Sequence, residues 1–430
     1  MMKKIKLLAL LHKAFVAGML TITATVSAEK IAINNAEVYT VSERGILSQA
    51  TVVFEGGIIS AIYSKEEVPE TLDVDQVIDA KGRILTPGLI ASGNLLGLVE
   101  VSAVSETRDS ADNKADLTFD ASLAFNPKSS LIPYARKGGI TTSIVIPYGG
   151  EKVLTGQSFV VDLTGEFFSV TAANNALVAS LGANQKGSRA LKLQALANEL
   201  EKAKISLAAR QKADKDKTET TDDKNKEVLA SEQVLYDVLL AKKPLLAYAD
   251  RATDILALLK LKDLYNLRLI LVGASDAILV SKSIADAGVP VMMSAIDNLP
   301  NSFDSLHNAL GNIAKLQQAG VNVIIANSGE THNINQLRFD AGVAVANGLK
   351  AKNALAAITG NVADTFNLNT GRIIIGKSAD LVLWNSDPFE ISSKVDAMWI
   401  KGKPMLLKSR QDLLRERYKS PSVMPRSYTK

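Results

Sequence analysis

The sequence contains no cysteine. Disulfides, thiolate zinc sites and a thiol nucleophile are therefore excluded, and an oxidising compartment such as a periplasm is compatible with the chain without being required by it. Histidine is scarce too: three residues in all, His12, His307 and His332. A Gly-x-Ser-x-Gly nucleophile elbow and a phosphate-cradling glycine loop are both missing. The apolar run near the start, Ala14 to about Ala24, falls short of the roughly 20 residues that a membrane-spanning helix needs. Charge excess is absent as well. The count of 49 Lys+Arg to 45 Asp+Glu owes its surplus to Lys3, Lys4, Lys6 and Lys13, and the remainder balances at 45 against 45. Nothing in that balance points to nucleic acid or an anionic membrane as partner.

What is present begins with a leader. Four lysines, the apolar run and the small residues Val26-Ser27-Ala28 make residues 1–28 read as a secretory signal peptide cleaved after Ala28. The expected location is periplasmic or secreted, with no membrane insertion after cleavage. At 430 residues, 47% hydrophobic and 22% charged, the chain is long and apolar enough for one large α/β domain plus a smaller one.

Short β-type segments come first: Lys30 to Ile33, Ala36 to Val41, Ala50 to Glu55 and Gly57 to Tyr63. A matching set closes the chain at 380–385 and 397–401. Two strand-rich pieces this far apart form one domain if the segment between them folds separately with its ends close together. The expectation is a composite β-sandwich over 29–86 and 371–406, flanking a domain at 87–370. Within the latter, near-continuous apolar runs at 84–91, 140–147, 175–181, 245–249, 267–272, 289–294 and 321–326 read as strands buried on both faces. Helical stretches at 252–262, 274–288 and 302–319 separate several of them. Alternating strand and helix over this length favours a (β/α)8 TIM-type barrel. Seven barrel strands are clear, and the eighth is either the run Ser158 to Thr164 or a strand elsewhere, with that run a hairpin on the second strand. A charged helical insertion at about 190–242 has a seam of Leu196, Leu200, Ala203 and Leu207 before an almost wholly polar run at 212–227, and residues 407–430 form a basic tail.

Several stretches together resemble the amidohydrolase superfamily, with the imidazolonepropionase-like branch of secreted metal-dependent hydrolases as the nearest pattern. They are DAKGRILTPGLIA at 79–91, GGITT at 138–142, the Gly156-Gln157 turn and GRIIIGKSADLVLWNSDP at 371–388. The resemblance implies that the first barrel strand should end in Asp-x-His-x-His, two imidazoles on one side of a strand reaching one metal. The matching positions read Ala91, Ser92, Gly93, Asn94 and Leu95. Near the fifth-strand histidine position stand Tyr248 and Asp250. At the sixth-strand position the chain reads Leu271-Val272-Gly273, and the eighth-strand turn that should carry an aspartate reads Asn327-Ser328-Gly329-Glu330. With His12 in the leader, two histidines remain, and the family's four-histidine site cannot be assembled from them.

Asp250, Asp276, Glu330 and His332 fall at or just beyond expected C-terminal strand ends, the face where barrel chemistry occurs. Glu330 and His332 with Asp250 have the chemistry to bind a hard divalent cation such as Mg²⁺ or Ca²⁺, or to act as an acid/base pair; the plainer reading makes them polar loop residues. Glu100, Arg108 and Asp109, after the first strand, are placed to contact a molecule at the barrel mouth. No metal or other cofactor is expected on the usual motif. Two functions stay open. One is a non-catalytic relative that binds a small molecule at the barrel mouth, forms a homo-oligomer, or pairs with a catalytically complete homologue. The other is a hydrolase of non-peptide carbon–nitrogen bonds in small amides through a rebuilt or metal-independent site.

Overall fold

A computed structural model describes residues 29–181, 188–215, 228–327 and 331–419. The two ends of the described chain meet in one sheet. Strands β1 (Lys30–Tyr39), β2 (Ile46–Glu55), β3 (Ile58–Tyr63), β4 (Gln76–Asp79) and β5 (Ile84–Pro87) come from the beginning. The barrel strands are β6 (Leu89–Asn94), β7 (Ile140–Val145), β8 (Leu154–Asp162), β9 (Val170–Ser180), β10 (Leu245–Ala249), β11 (Leu269–Gly273), β12 (Val291–Ser294) and β13 (Val323–Ala326), and the end of the chain supplies β14 (Leu381–Trp384), β15 (Val395–Ile400) and β16 (Lys403–Pro404).

The first sheet runs β16-β15-β14-β5-β1-β2-β3, with β4 also paired to β1. Its closing seam is β14 against β5, antiparallel, with Leu381 opposite Pro87 and Leu383 opposite Leu85. Burial drives this pairing: Ile33, Val38, Val52, Phe54, Leu85, Leu381, Leu383 and Trp399 form one apolar cluster. The Phe54 and Trp399 rings lie 6.2 Å apart. Trp384 fastens the sheet to the barrel by packing with the barrel core, while its buried indole N–H donates to Thr86 Oγ1 of β5 at 2.9 Å. Arg338 makes a second fastening. Its guanidinium is buried and donates to the carbonyls of Pro388, Glu390 and Ser393 at 2.6, 2.8 and 2.7 Å. With no acid opposite among the described residues, burial pulls its pKa down to about 10.

The second sheet runs β13-β12-β11-β10-β9-β8-β7-β6 and nearly closes: Asn327 N donates to Ser92 O at 2.9 Å across the remaining gap. Ile90, Ile144, Val160, Val178, Leu246, Ile270, Met292 and Ile324 cluster together, one from each strand of the barrel. The alternate residues, among them Ala91, Val145, Val161, Leu245, Leu271 and Ile325, join the larger core shared with the surrounding helices. All seven clear barrel strands of the sequence reading are present. The run Ser158 to Thr164 proves to be both things left open: it fills the eighth place in the sheet and is one arm of a hairpin, antiparallel to β7 and β9. The short turn from Asp162 to Val170 allows only a reversal, since a parallel return needs a crossover of about a dozen residues or more.

Two helix expectations need correction. The 274–288 stretch is a 3-10 turn, Ser275–Val280, followed by a short helix, Ser281–Asp286. Of 302–319 only Asn312–Gln318 is helical. Upstream, Ser305 Oγ accepts from the backbone N–H groups of Asn301 and Ser302 at 2.9 and 3.0 Å, and these local side-chain bonds compete with a helix start. His307 therefore sits in a turn rather than in a helix. The expected helical seam is present in Arg189–Lys215, where Leu196, Leu200 and Ala203 are buried beside Val234, Leu235 and Val238 of the helix Ala230–Leu239. Most of the polar run, 216–227, lies outside the described residues. The start of the basic tail is the surface helix Arg410–Lys419, moored by Asp412 to Lys137 Nζ at 2.7 and 2.8 Å. That bond holds the Asp412 carboxyl down at about 2. No described helix is long and apolar enough to cross a membrane.

Candidate functional site

The C-terminal ends of β10, β11 and β12 and the turns that follow them surround a small polar cleft of about 200 Å³. Asp250 is its most informative residue. It stands just after β10, and its Oδ1 accepts from Ser275 Oγ at 3.0 Å and Ser275 N at 3.3 Å. Burial raises its carboxyl above the ordinary aspartate range, the two Ser275 bonds pull it back, and the nearby charges of Asp304 and Asp276 add to the rise. Opposite, Ser294, Asp297, Asn301, Ser302, Ser305 and Asn308 complete a wall rich in hydroxyls, amides and one further carboxylate.

Around the cleft runs a network of charges. Asp276 Oδ2 accepts from Ala252 N at 3.1 Å, capping the helix Ala252–Tyr265. Its Oδ1 lies 2.6 Å from His307 Nδ1. Asp304, 3% exposed, bonds to both Arg251 and Arg189, and Arg189 Nε also lies 3.6 Å from the buried Asp254. Sequence reasoning found Asp250 and Asp276 but missed Asp304, Arg251, Arg189 and His307. The Ser302-x-Asp304-Ser305 pattern, typical of side-chain-bonded turns, was the available signal that 302–311 would not be helical.

The other candidates are placed elsewhere. Glu100 braces the loop before the second strand, taking Asn126 Nδ2 at 3.4 Å and Ser130 Oγ at 3.3 Å. Arg108 and Asp109 are exposed beside it, and none of the three lines the cleft. His332 is exposed on the turn Thr331–Gln336 and forms no hydrogen bond to Asp250 among the described residues. Glu330 and Gly329 lie outside the described residues.

Residues 247–405, which carry the later barrel strands and the closing seam, match the amidohydrolase family model. The solved structure of an amidohydrolase from Thermotoga maritima superposes with a TM-score of 0.77 at 23% identity, over 87% of this chain and 99% of its own. The family match thus covers the later barrel strands, and the fold of the whole described chain is that of the amidohydrolases. A zinc-bound adenosine deaminase from Xanthomonas campestris gives a TM-score of 0.54 at 17% identity, over 90% and 97%. A molinate hydrolase gives 0.53 at 15%, over 94% and 99%. No curated protein matches the sequence.

In this amidohydrolase fold the positions expected to hold metal can be inspected one at a time. Gly93 forms a bulge in β6 with φ of +75°; a Cβ there would lie 3.5 Å from the Ala326 Cβ and 4.0 Å from the Met292 Cε, both lumen residues. The position thus faces the barrel interior, with no side chain to offer. Leu95 packs into the core and its N–H donates to Thr331 Oγ1 at 3.3 Å. Tyr248 packs against the lumen, and burial pushes its phenol up to about 12, so it stays neutral. At Gly273 a Cβ would come within 2.8 Å of Asp250 Oδ1. The carboxylate of Asp250 fills the space that a sixth-strand side chain would need. Among the described residues no three His, Asp or Glu side chains converge as a metal would require. Among the described residues, these positions carry glycine, leucine and tyrosine rather than histidine or a carboxylate.

Proposed function

We propose that this chain is a non-catalytic relative of the amidohydrolase superfamily that binds a small molecule bearing amine or amide hydrogens at its barrel mouth. One observation carries the reading: Asp250 occupies the place of a side chain at position 273, turning a former ligand position into a hydrogen-bond acceptor. The family's nucleophile is water activated by metal, and Gly93, Leu95 and Gly273 leave no side-chain donors to hold that metal. Asp250, Asp297 and the serine and asparagine groups around them favour a ligand rich in N–H donors, and 200 Å³ limits it to a few heavy atoms beyond a simple amino acid. The composition of the leader supports export to the periplasm or outside the cell, which fractionation of an epitope-tagged chain would test.

The deciding experiment couples metal analysis of the purified mature protein to calorimetric titration with small amines, amino-acid amides and cyclic amides, and to a hydrolysis screen on the same panel. The expected result is less than stoichiometric metal, no turnover, and a binding signal lost in Asp250→Asn. Stoichiometric metal and turnover, both lost in that variant, would overturn the proposal. The Asp276–His307 pair at 2.6 Å supports a second reading, a metal-independent hydrolase with His307 as general base. Turnover without metal, abolished in His307→Gln, would select it.

A further inference from the structure

Away from the mouth, Lys192 is placed as few lysines are. It lies in the first turn of the helix Arg189–Lys215, is 8% exposed, and its Nζ is buried with no hydrogen-bond partner among the described residues. An ammonium in such a place lacks both water and a counter-charge. The helix N-terminus adds partial positive charge, and Arg189, three residues earlier, adds a positive charge that its pairing with Asp304 and Asp254 partly offsets. Burial first, and then Arg189, hold the amine below the ordinary lysine range.

The same side chain lines a cavity of about 420 Å³ walled by Leu117, Val153, Leu154 and Leu191, which shares no residue with the mouth cleft. The acids of that cavity do not neutralise it: Glu199 pairs with Lys202 at 3.4 Å, and Glu151 is exposed. A buried amine, without a partner among the described residues and beside a cavity that has one apolar wall, has the features of an activated amine nucleophile.

We propose that Lys192 is a covalent capture site for small apolar aldehydes or ketones, held in this cavity as an imine. The Nζ lone pair adds to the carbonyl carbon, the former carbonyl oxygen leaves as water with the two amine hydrogens, and a C=N bond remains. No oxidant or reductant is needed. The apolar wall takes the body of the ligand, and the product removes the buried, unpaired amine.

The test is reductive trapping on the full chain: limiting benzaldehyde with cyanoborohydride at pH 7, followed by peptide mass mapping. Burial alone would make Lys192 the slowest lysine to react. The proposal expects it to be benzylated about tenfold faster or more than the exposed Lys65 and Lys260. In Lys192→Arg, checked for an unchanged melting transition, the fast phase should vanish while the surface lysines label as before. Labelling of Lys192 at or below the surface rate overturns the proposal. So does Lys192-dependent binding of benzoate without trapping of benzaldehyde, which would make the cavity an anion site.

Discussion

Replacing Gly273 with alanine probes the substitution at the heart of the site. The new methyl would lie 2.8 Å from Asp250 Oδ1, on a backbone whose φ is +78°. A non-glycine residue in the left-handed region costs about 1–2 kcal/mol. Relieving the contact means moving the Asp250 carboxylate off Ser275, whose two bonds of 3.0 and 3.3 Å are each worth about 1 kcal/mol net. The expected loss is therefore about 3–4 kcal/mol, in two separable parts. In an Asp250→Ala background the collision is gone and the backbone part alone remains, so the two substitutions should couple by about 1–2 kcal/mol. Urea unfolding of the four proteins, followed by circular dichroism at constant slope, gives the cycle directly. Additivity within about 0.5 kcal/mol would mean that the carboxylate does not occupy the space above Gly273, and the reasoning for the site would fail with it.

Three further outcomes follow from the same contacts. Burial raises the Asp250 carboxyl, so its ionisation costs stability at pH values above its folded pKa and costs nothing below the ordinary aspartate range, where both states are protonated. Asp250→Asn should thus melt no lower than the parent at pH 7, with any gain fading at pH 3–4; a clear loss of stability at pH 7 would contradict the burial argument. Trp384→Phe strands the buried Thr86 hydroxyl and should cost about 1–3 kcal/mol, part of which Thr86→Val restores, as measured by thermal unfolding of the single and double variants. Arg338→Lys, conservative in charge, should still lose about 2 kcal/mol or more in the same assay, because one ammonium cannot reproduce the guanidinium fork that serves three carbonyls.

The architecture was legible because burial on both faces writes itself into sequence as unbroken apolar runs. Leu269–Gly273 and Val323–Ala326 could hardly be anything but interior strands. The β8 run was ambiguous for a physical reason: apolar content reports burial, and strand direction is set by the length of the connection. The turns at 302–311 were misread because the helical apolar spacing continues through them, while the Ser305 hydroxyl ties up the backbone groups that a helix start would use. The charge network was illegible for another reason. Arg189, Asp254 and Asp304 come from three segments whose meeting is fixed by the barrel, and no local pattern announces a pair separated by more than a hundred residues.

Gly93 and Gly273 look alike in the sequence, each a glycine at a position expected to carry a ligand, yet their surroundings give them different meanings. At Gly93 an added Cβ would meet only van der Waals contacts at 3.5 and 4.0 Å, and the obstacle is the backbone φ of +75°. Regaining a metal ligand there would require the bulge in β6 to change as well as the side chain. At Gly273 the backbone and a neighbouring carboxylate both stand in the way. Loss of a ligand by simple substitution would leave an empty place that a single reversion could refill. Here one position is closed by its backbone and the other by its backbone and Asp250 together. On the proposed reading, a mouth kept for binding must have the space at position 273 shaped by something other than a metal ligand, and the Asp250 carboxylate shapes it.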